Sequence, residues 1–480
     1  MLTRLLLFLA QAALIVFVTL VLAGAFAARQ RPDLQSWHTV ELPSEFRAGQ
    51  GVDTLEEFLD LEERVFRELE ERVVVGVRLA EPDNLNRYAR TSRSYPERDG
   101  RNWNRSQVSD TDSPRGGILL LHGMTDSPYS MRHFAALFRE KGWNVLNLRV
   151  PGHGTAPSEL ARVDWRDWEA AVRVGAASVA ERLAPNQPFY IMGYSNGGSL
   201  AVNYALASLG DPGLRIPDRL ILLSPMIGVS GLASLGKIYY WMGKLGFFEK
   251  ASWLDLLPEY DPHKYNSFPM NGPRQSAALT RTIDRRVQQA VASGAIEAMP
   301  PVLTFQSLVD STVSSRAVVT RLYDRLPANG SELVLFDVNR SGVLESFVAP
   351  QHDALLAELD GPAPKNYGYT LISNRGMVDG RLVARSIPAR GSKPSEQALP
   401  YRWPEDQYSL SHVALPFPPD DEVYGSRAPA RVNGFPRLGR AQLKGESGAL
   451  VLPANLSTRA RSNPFHGYVE DRILEILDRE

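Results

Sequence analysis

The 480-residue sequence contains no cysteine, and this absence excludes several kinds of chemistry. Without thiols the chain cannot form disulfides, use a cysteine nucleophile, bind metal through thiolates or carry a lipid on an amino-terminal cysteine. The chain also has almost no net charge (−1), because 53 basic residues are balanced by 54 acidic ones. This balance gives no indication of a nucleic-acid partner or of a strongly acidic substrate. Repeats and low-complexity tracts are missing too.

The amino terminus is the one long apolar stretch of the sequence. Residues 5–28 are almost wholly apolar, with Arg4 before them and Arg29 and Arg31 after them. A run of about 20 apolar residues is long enough to span a bilayer. The small-x-small sequence Ala25-Phe26-Ala27 makes a cleaved signal peptide the alternative. We expect a retained anchor with the body on the translocated, periplasmic or extracytoplasmic side; cleavage would leave it periplasmic or secreted.

The sequence Gly193-Tyr194-Ser195-Asn196-Gly197 is the strongest local motif in the chain. An apolar strand at 189–192 precedes it and a helix is predicted from near Ser199. A serine on such a sharp turn has a crowded backbone, which requires glycine on either side. The turn also places the serine at the amino end of a helix, where developing negative charge is stabilised. The motif therefore predicts a nucleophile elbow.

Apolar strands and amphipathic helices alternate from Gly116 onward. This alternation predicts an α/β fold with a doubly wound, mostly parallel sheet. Strands are predicted at 117–121, 143–149, 189–192, 219–223, 301–306 and 332–337, and strand-like pieces follow at 367–373 and 382–386.

Two regions do not follow the alternating pattern. An extension between the apolar run and Gly116 carries a predicted helix from Thr54 to Val73, with Glu57 completing a capping box. A block rich in aromatic residues, including Tyr239 and Trp241, is interpreted as a cap inserted between core strands. We predict an anchor or signal segment at 1–28, an extension at 29–115, a core at 116–226 and 300–480, a cap at 227–299, and an insertion around 339–406.

A serine nucleophile needs a histidine as base and a carboxylate that orients the histidine. In a doubly wound fold with a nucleophile elbow of this kind, the three catalytic residues occur along the chain in the order serine, acid, histidine. Three histidines come late enough in the chain: His352, His412 and His466. We favour His412, because it lies in an apolar, proline-bounded loop after a short strand. The other two fall on predicted helices.

The acid has two candidates, each at the end of a predicted strand. Asp310 follows one apolar strand and precedes a helix, and Asp337 ends the next strand. We favour Asp310, since the cap insertion accounts for its distance along the chain from Ser195.

Two backbone N–H groups are expected to form an oxyanion hole. One belongs to Asn196, directly after the serine, and the other to Met124, in the loop after the first core strand. His122 is expected to brace that loop. The sequence has no metal-ligand cluster and no phosphate-cradling glycine loop, so we expect no metal or cofactor.

Taken together, four motifs resemble the α/β-hydrolase superfamily, and most of all its monoacylglycerol-lipase and carboxylesterase branch, often grouped with serine aminopeptidase-like hydrolases. The motifs begin with His122-Gly123-Met124 and Pro151-Gly152-His153-Gly154, continue through the elbow and end at Asp310 with Val313. The resemblance covers about 116–337 and the His412 loop. The sequence departs from the family pattern in the long stretch between Asp310 and His412. Because of this length, His352 stays an alternative candidate for the catalytic histidine.

The resemblance implies a serine hydrolase that cleaves carboxylic esters of small molecules or lipids through an acyl-enzyme, and the apolar run at 5–28 predicts that this hydrolase is anchored in a membrane. Amide or thioester hydrolysis could run on the same apparatus, because the fold does not choose among them. A non-catalytic binding protein with a hydrolase fold is a further alternative. The sequence gives no indication of the oligomeric state.

Overall fold

The computed structural model describes most of the chain after the apolar run. The described residues are 30–78, 85–228, 246–340, 350–377, 379–391, 393–427, 434–439 and 459–479, with single residues 4, 8, 11, 12, 15 and 19. Apart from those single residues, the predicted anchor at 1–28 lies outside them. Within the described part, no helix is both long enough and apolar enough to cross a membrane.

A ten-stranded sheet forms the centre of the molecule, in the order β1-β3-β2-β4-β5-β8-β9-β10-β11-β12. The strands from β3 to β10 in that order run parallel, whereas β1, β11 and β12 pair antiparallel with their neighbours. The strand bounds are β1 Gln107–Ser109, β2 Gly117–Leu121, β3 Asn144–Leu148, β4 Phe189–Tyr194, β5 Arg219–Leu223, β8 Val302–Ser307, β9 Glu332–Phe336, β10 Gly368–Ser373, β11 Arg381–Ile387 and β12 Ser395–Arg402. A separate two-stranded sheet pairs β6 Trp253–Asp255 with β7 Phe268–Pro269.

Helices lie on both faces of the main sheet. Their bounds are α1 Ser36–Thr39, α2 Leu55–Arg72, α3 Arg132–Glu140, α4 Pro157–Leu160, α5 Trp165–Glu181, α6 Asn196–Ser208, α7 Asn271–Ser293, α8 Ser315–Arg321, α9 Pro350–Leu359 and α10 His466–Leu477. This arrangement is the doubly wound α/β architecture that the alternating pattern predicted.

The central strands are buried on both faces, which is why they read as continuous apolar runs. In β2, Leu119 and Leu121 pack into one core cluster, whereas Ile118 and Leu120 pack into the cluster on the opposite face. All four side chains are fully buried. The central strands are therefore held by packing on both faces.

The stretch predicted as an insertion around 339–406 contributes three strands to the main sheet. β10 runs parallel to β9, and the hairpin partners β11 and β12 continue the sheet outward. The sequence analysis did not predict β12. Its side chains are mostly exposed, so it lacks the apolar run that marks the central strands.

The region predicted as a cap separates β5 from β8 along the chain. Its described part contains β6, β7 and the long helix α7, which packs against α5 and α6. Helix α7 begins at Asn271 and contains Pro273 in its first turn, where a proline is tolerated. The aromatic residues Tyr239 and Trp241 lie outside the described residues.

The amino-terminal extension packs onto the core through a buried ion-pair network. Arg149 follows β3 and donates two hydrogen bonds to the Glu45 carboxylate, at 3.0 and 3.1 Å, and one to Glu62 at 2.9 Å. These side chains are almost entirely buried. Glu62 lies on α2, which starts with the predicted capping box of Thr54 and Glu57. The extension is therefore an integral part of the folded body.

Candidate active site

The nucleophile elbow joins β4 to α6, and its backbone is strained. Ser195 has φ +54° and ψ −115°, in a region that costs a residue with a side chain about 1–3 kcal/mol. Hydrogen bonds secure this conformation: the Ser195 N–H donates to the Leu223 carbonyl at 2.9 Å, and the Met226 N–H donates to the Ser195 carbonyl at 3.1 Å. The helix begins at Asn196, three residues before the predicted start, which puts Ser195 at its amino end.

Two glycines of the motif are required by close backbone approaches. A Cβ on Gly193 would lie 2.3 Å from the Gly197 carbonyl oxygen, and a Cβ on Gly197 would lie 2.2 Å from the Leu121 carbonyl oxygen. Both distances are far below van der Waals contact. The spacing of glycine around Ser195 therefore follows from packing of the elbow against itself and against β2.

The structure brings together the three side chains that the sequence analysis selected. His412 Nε2 lies 3.0 Å from Ser195 Oγ, and His412 Nδ1 lies 2.8 Å from Asp310 Oδ2. An ionised carboxylate can only accept, so Nδ1 carries the proton and donates to Asp310. Nε2 is then the acceptor for the serine hydroxyl. All three residues are buried, which excludes most water from the group.

The Asp310 carboxylate is held in place from several sides. Its Oδ1 accepts the backbone N–H groups of Thr312 and Val313, each at 2.9 Å, and its Oδ2 accepts from Gln306 at 3.2 Å. Burial opposes ionisation, but the interaction and hydrogen bond with His412, followed by the backbone hydrogen bonds, keep the pKa of Asp310 below its usual value. Asp310 is therefore an ionised acceptor at neutral pH.

The alternative candidates lie elsewhere. Asp337 pairs with Arg340 at 2.9 Å and accepts from Ser373 at 2.7 Å, away from the histidine. His466 is buried with its Nδ1 3.3 Å from Glu470, and His352 lies on α9. The geometry at Ser195 thus involves His412 and Asp310.

The loop after β2 lies directly against the nucleophile. A Cβ built on Gly123 would lie 3.3 Å from Ser195 Cβ, which puts Met124 in the turn beside the elbow. Among the described residues, neither Met124 nor Asn196 donates its backbone N–H to another group. Both donors are thus available to an oxygen bound at the serine.

His122 braces the same loop, as expected. Its Nε2 accepts the Val150 N–H at 3.0 Å, so Nδ1 carries the proton and donates to the Gly123 carbonyl at 2.9 Å. Burial lowers the pKa of His122 well below its usual value. The ring is therefore a neutral spacer that ties the loop to the end of β3.

Three supporting residues were not identified from the sequence. Gln306 contacts Asp310, Tyr194 donates to the His412 carbonyl at 3.4 Å, and Ser276 on α7 donates to the Asn196 side chain at 2.8 Å. Gln306 could have been noticed as a polar residue inside an otherwise apolar strand. The other two carry no sequence signal, because their partners are far away along the chain.

The fold and this geometry define the protein as an α/β-hydrolase with a serine, a histidine and an aspartate at the carboxyl edge of the sheet. Within the described residues, no group of three or more potential ligand side chains could hold a metal ion.

Comparisons with known proteins agree with this class. Residues 112–339 match the family model described as serine aminopeptidase, S33. A thermostable monoacylglycerol lipase from Bacillus sp. (strain H-257) is 36% identical over 89 residues, which cover 18% of this chain and 34% of that enzyme. The match thus spans about a third of the length of that relative. The family model covers just under half of the chain, and the chain resembles the monoacylglycerol lipase-like α/β-hydrolases.

Solved structures of similar proteins include two further lipases. The monoacylglycerol lipase of Paleococcus ferrophilus is 16% identical, with 53% of this chain and 97% of that chain covered at a TM-score of 0.36. A soluble variant of monoglyceride lipase from Saccharomyces cerevisiae, bound to a substrate analogue, is 16% identical. In that case 48% of this chain and 82% of the yeast chain are covered at a TM-score of 0.35.

Proposed function

We propose that the protein is a serine esterase that cleaves carboxylic esters of lipid-like alcohols through an acyl-enzyme. The observation that carries the proposal is the continuous contact from Ser195 Oγ to His412 Nε2 at 3.0 Å and from His412 Nδ1 to Asp310 at 2.8 Å. The sequence match to a monoacylglycerol lipase supports an ester substrate.

In the acylation step Ser195 Oγ attacks the ester carbonyl while His412 Nε2 takes the serine proton. Asp310 stabilises the imidazolium that forms. The carbonyl oxygen becomes an oxyanion, which accepts hydrogen bonds from the backbone N–H groups of Met124 and Asn196. When the tetrahedral intermediate collapses, the bond to the alcohol breaks and His412 returns the proton to the leaving oxygen.

Deacylation repeats the same chemistry with water as the nucleophile. His412 removes a proton from water, the hydroxyl oxygen bonds to the acyl carbon, and the proton then passes to Ser195 Oγ as the acid is released. The strained elbow holds Ser195 Oγ 3.0 Å from His412 Nε2, the group that moves the proton in both steps. No cofactor enters either step.

We further propose that the apolar run 5–28 anchors the protein with its catalytic body on the translocated, periplasmic or extracytoplasmic side. Support comes from the chain directly after that run. Arg31 donates to the carbonyl groups of Lys250, Trp253 and Leu254, and Lys250 pairs with Asp33 at 2.7 Å. The point where the chain would leave the membrane is thus tied to the segment between β5 and β8, beside the exposed side chain of Leu254.

An aminopeptidase is the second candidate, because the matching family model is described as a serine aminopeptidase. Such an enzyme would use the same three side chains on an amide. The two candidates differ in the leaving group, which is an amine in place of an alcohol.

Hydrolysis by the full-length protein in detergent tests the proposal. Monoacylglycerols of increasing acyl length and aminoacyl naphthylamides would be compared, using the parent and Ser195→Ala. We expect hydrolysis of the esters, none of the amides, and complete loss in Ser195→Ala. Ser208→Ala, at the far end of the same helix, is the matched control and should retain activity. Ester hydrolysis that survives Ser195→Ala would contradict the proposal, and preferential amide hydrolysis would favour the aminopeptidase.

A further inference from the structure

A cavity of about 560 Å³ opens next to the proposed catalytic residues. Thr125, the neighbour of Met124, and Val413, the neighbour of His412, both line it. Ser195 is not among the lining residues, so the cavity is adjacent to the reacting atoms and does not contain them. Its remaining described lining comprises Tyr260, Asp261, Lys264, Tyr265, Asn266, Tyr424, Leu438, Arg459 and Arg461.

The cavity borders the histidine loop and the residues that follow Asp310. Arg459 donates to the hydroxyl groups of Ser311 and Thr312, at 2.9 and 3.1 Å, and these residues directly follow Asp310. The leaving oxygen must take its proton from His412 Nε2, so the alcohol portion of an ester points towards the histidine.

The described part of the lining carries more cations than carboxylates. Three of the described lining residues are cations, Lys264, Arg459 and Arg461, and one is a carboxylate, Asp261. Asp261 is occupied internally, since its Oδ1 accepts from the Tyr424 hydroxyl at 2.6 Å and from the Lys264 N–H at 3.0 Å. Asp261 is also 3.9 Å from Arg461, which is longer than a hydrogen bond.

Lys264 is largely buried, and its ammonium group lies against aromatic rings. Its Nζ lies 4.5 Å from the ring centre of Phe417 and 5.1 Å from that of Tyr424, where the ring faces stabilise a cation. Behind it, Asp126 is 3.3 Å away, and burial raises the pKa of Asp126 to about 6. Even with Asp126 counted as fully ionised, the three cations of the described lining outnumber the two carboxylates Asp261 and Asp126.

We infer that this cavity binds an anionic group, a phosphate or a carboxylate, on the alcohol portion of the substrate. The inference rests on the proposed ester hydrolysis and narrows its substrate class to esters of acidic alcohols. Arginine guanidinium and lysine ammonium groups donate strong hydrogen bonds to anionic oxygens, and neutral glycerol offers no such partner.

Three short-chain esters with the same acyl group test the inference: hexanoylglycerol, hexanoylglycerol phosphate and hexanoylglycerate. The neutral ester is the reference, and the two acidic esters distinguish phosphate from carboxylate. With the full-length parent in detergent, we expect at least one acidic ester to have a kcat/KM about tenfold or more above the neutral ester. The preference should shrink as salt concentration rises.

Arg461→Gln is the variant of choice, because among the described residues its guanidinium makes only long contacts, 3.4 Å to the Tyr260 hydroxyl and 3.9 Å to Asp261. It should reduce kcat/KM for the acidic ester about tenfold through KM and leave the neutral ester within about twofold. Arg461→Lys should restore part of the preference. Arg402→Gln on β12, with an exposed side chain, is the matched control and should change neither rate.

The inference is overturned if the parent cleaves all three esters equally, or if Arg461→Gln slows all three to the same extent. In both cases ester hydrolysis remains and the proposed function stands. If none of the esters is cleaved and Ser195 does not react with a fluorophosphonate, the proposed function fails and the inference fails with it.

Discussion

Two buried charge networks occupy the carboxyl edge of the sheet, and their comparison separates structure from chemistry. In one, Arg149 is enclosed by the carboxylates of Glu45 and Glu62. In the other, Asp310 contacts His412, whose second ring nitrogen lies 3.0 Å from a serine hydroxyl on a strained turn. Burial and ion pairing are common to both networks. Only the second network includes a nucleophile, the hydroxyl oxygen of Ser195, next to a base that can accept its proton.

The two networks therefore should respond differently to the loss of one partner. Removing a partner from the first network leaves a buried charge unpaired, which costs stability. Removing a partner from the second leaves the serine without an oriented base, which costs activity.

The largest effect is expected from Asp310→Asn. An amide in place of the carboxylate no longer stabilises the proton on His412 Nδ1, so kcat for ester hydrolysis should fall by about 10³- to 10⁴-fold. The melting temperature should change little. Asp337→Asn is the matched control, because Asp337 ends the next strand and pairs with Arg340. A similar loss of kcat in both variants would remove the distinction between the two aspartates.

The second effect is expected from Arg149→Met. This change leaves Glu45 and Glu62 buried without their partner and should lower the free energy of unfolding by about 3–5 kcal/mol. Denaturant titration measures that loss, and kcat per folded molecule should stay within a few-fold of the parent. Adding Glu45→Gln and Glu62→Gln to Arg149→Met should restore much of the stability. Loss of kcat at unchanged stability would mean that Arg149 acts in catalysis.

On acidification, the extension should lose stability at a higher pH than the pH at which the contribution of Asp310 is lost. His38 in the extension is buried, which lowers its pKa from 6.5 to about 4. The unfolded chain therefore binds a proton that the folded chain does not, and stability falls as pH falls from 6.5 towards 4. The lowered pKa of Asp310 acts in the same direction but at lower pH: its contribution to stability is present above its usual value of 3.8 and is lost as pH falls below it.

Urea titrations of the parent and of His38→Gln, at about pH 7.5 and about pH 5, check this difference. The parent should lose more stability than the variant on acidification. Equal losses would show that His38 does not stay neutral in the folded protein.

The smallest effect is expected at the start of α2. Thr54 Oγ1 accepts the Glu57 N–H at 3.3 Å, and Thr54→Ala should cost about 0.5–2 kcal/mol of stability. Because α2 carries Glu62, hydrogen exchange should increase in the extension and stay unchanged at the elbow. Hydrogen exchange that increases at the elbow and not in the extension would contradict the claim that the extension and the catalytic site respond independently.

The same comparison explains how much of the molecule the sequence predicts. The elbow is predictable because the glycines that it requires lie close together, within a motif of five consecutive residues. The central strands are predictable because burial on both faces makes their sequences wholly apolar. His412 follows from chain order together with a proline-bounded apolar loop. The Arg149 network is not predictable, because Glu45 and Glu62 have no fixed spacing from Arg149 in the chain.

Edges and supporting contacts were missed for related physical reasons. Strand β12 is an exposed edge, so no apolar pattern marks it. Ser276 and Lys264 lie in the segment between β5 and β8, and only the folded chain brings them beside Asn196 and Asp126. The sequence motifs therefore indicate the catalytic residues, whereas the residues that line the cavity can be identified only from the folded structure.

Labelling of the full-length protein with a fluorophosphonate, followed by intact and peptide mass spectrometry, tests the central claim most directly. We predict one adduct, on Ser195, that is absent from Ser195→Ala and forms far more slowly in His412→Ala, while His352→Ala labels like the parent. A folded parent that does not label, or a Ser195→Ala variant that labels equally well, would contradict the claim that Ser195 is an activated nucleophile.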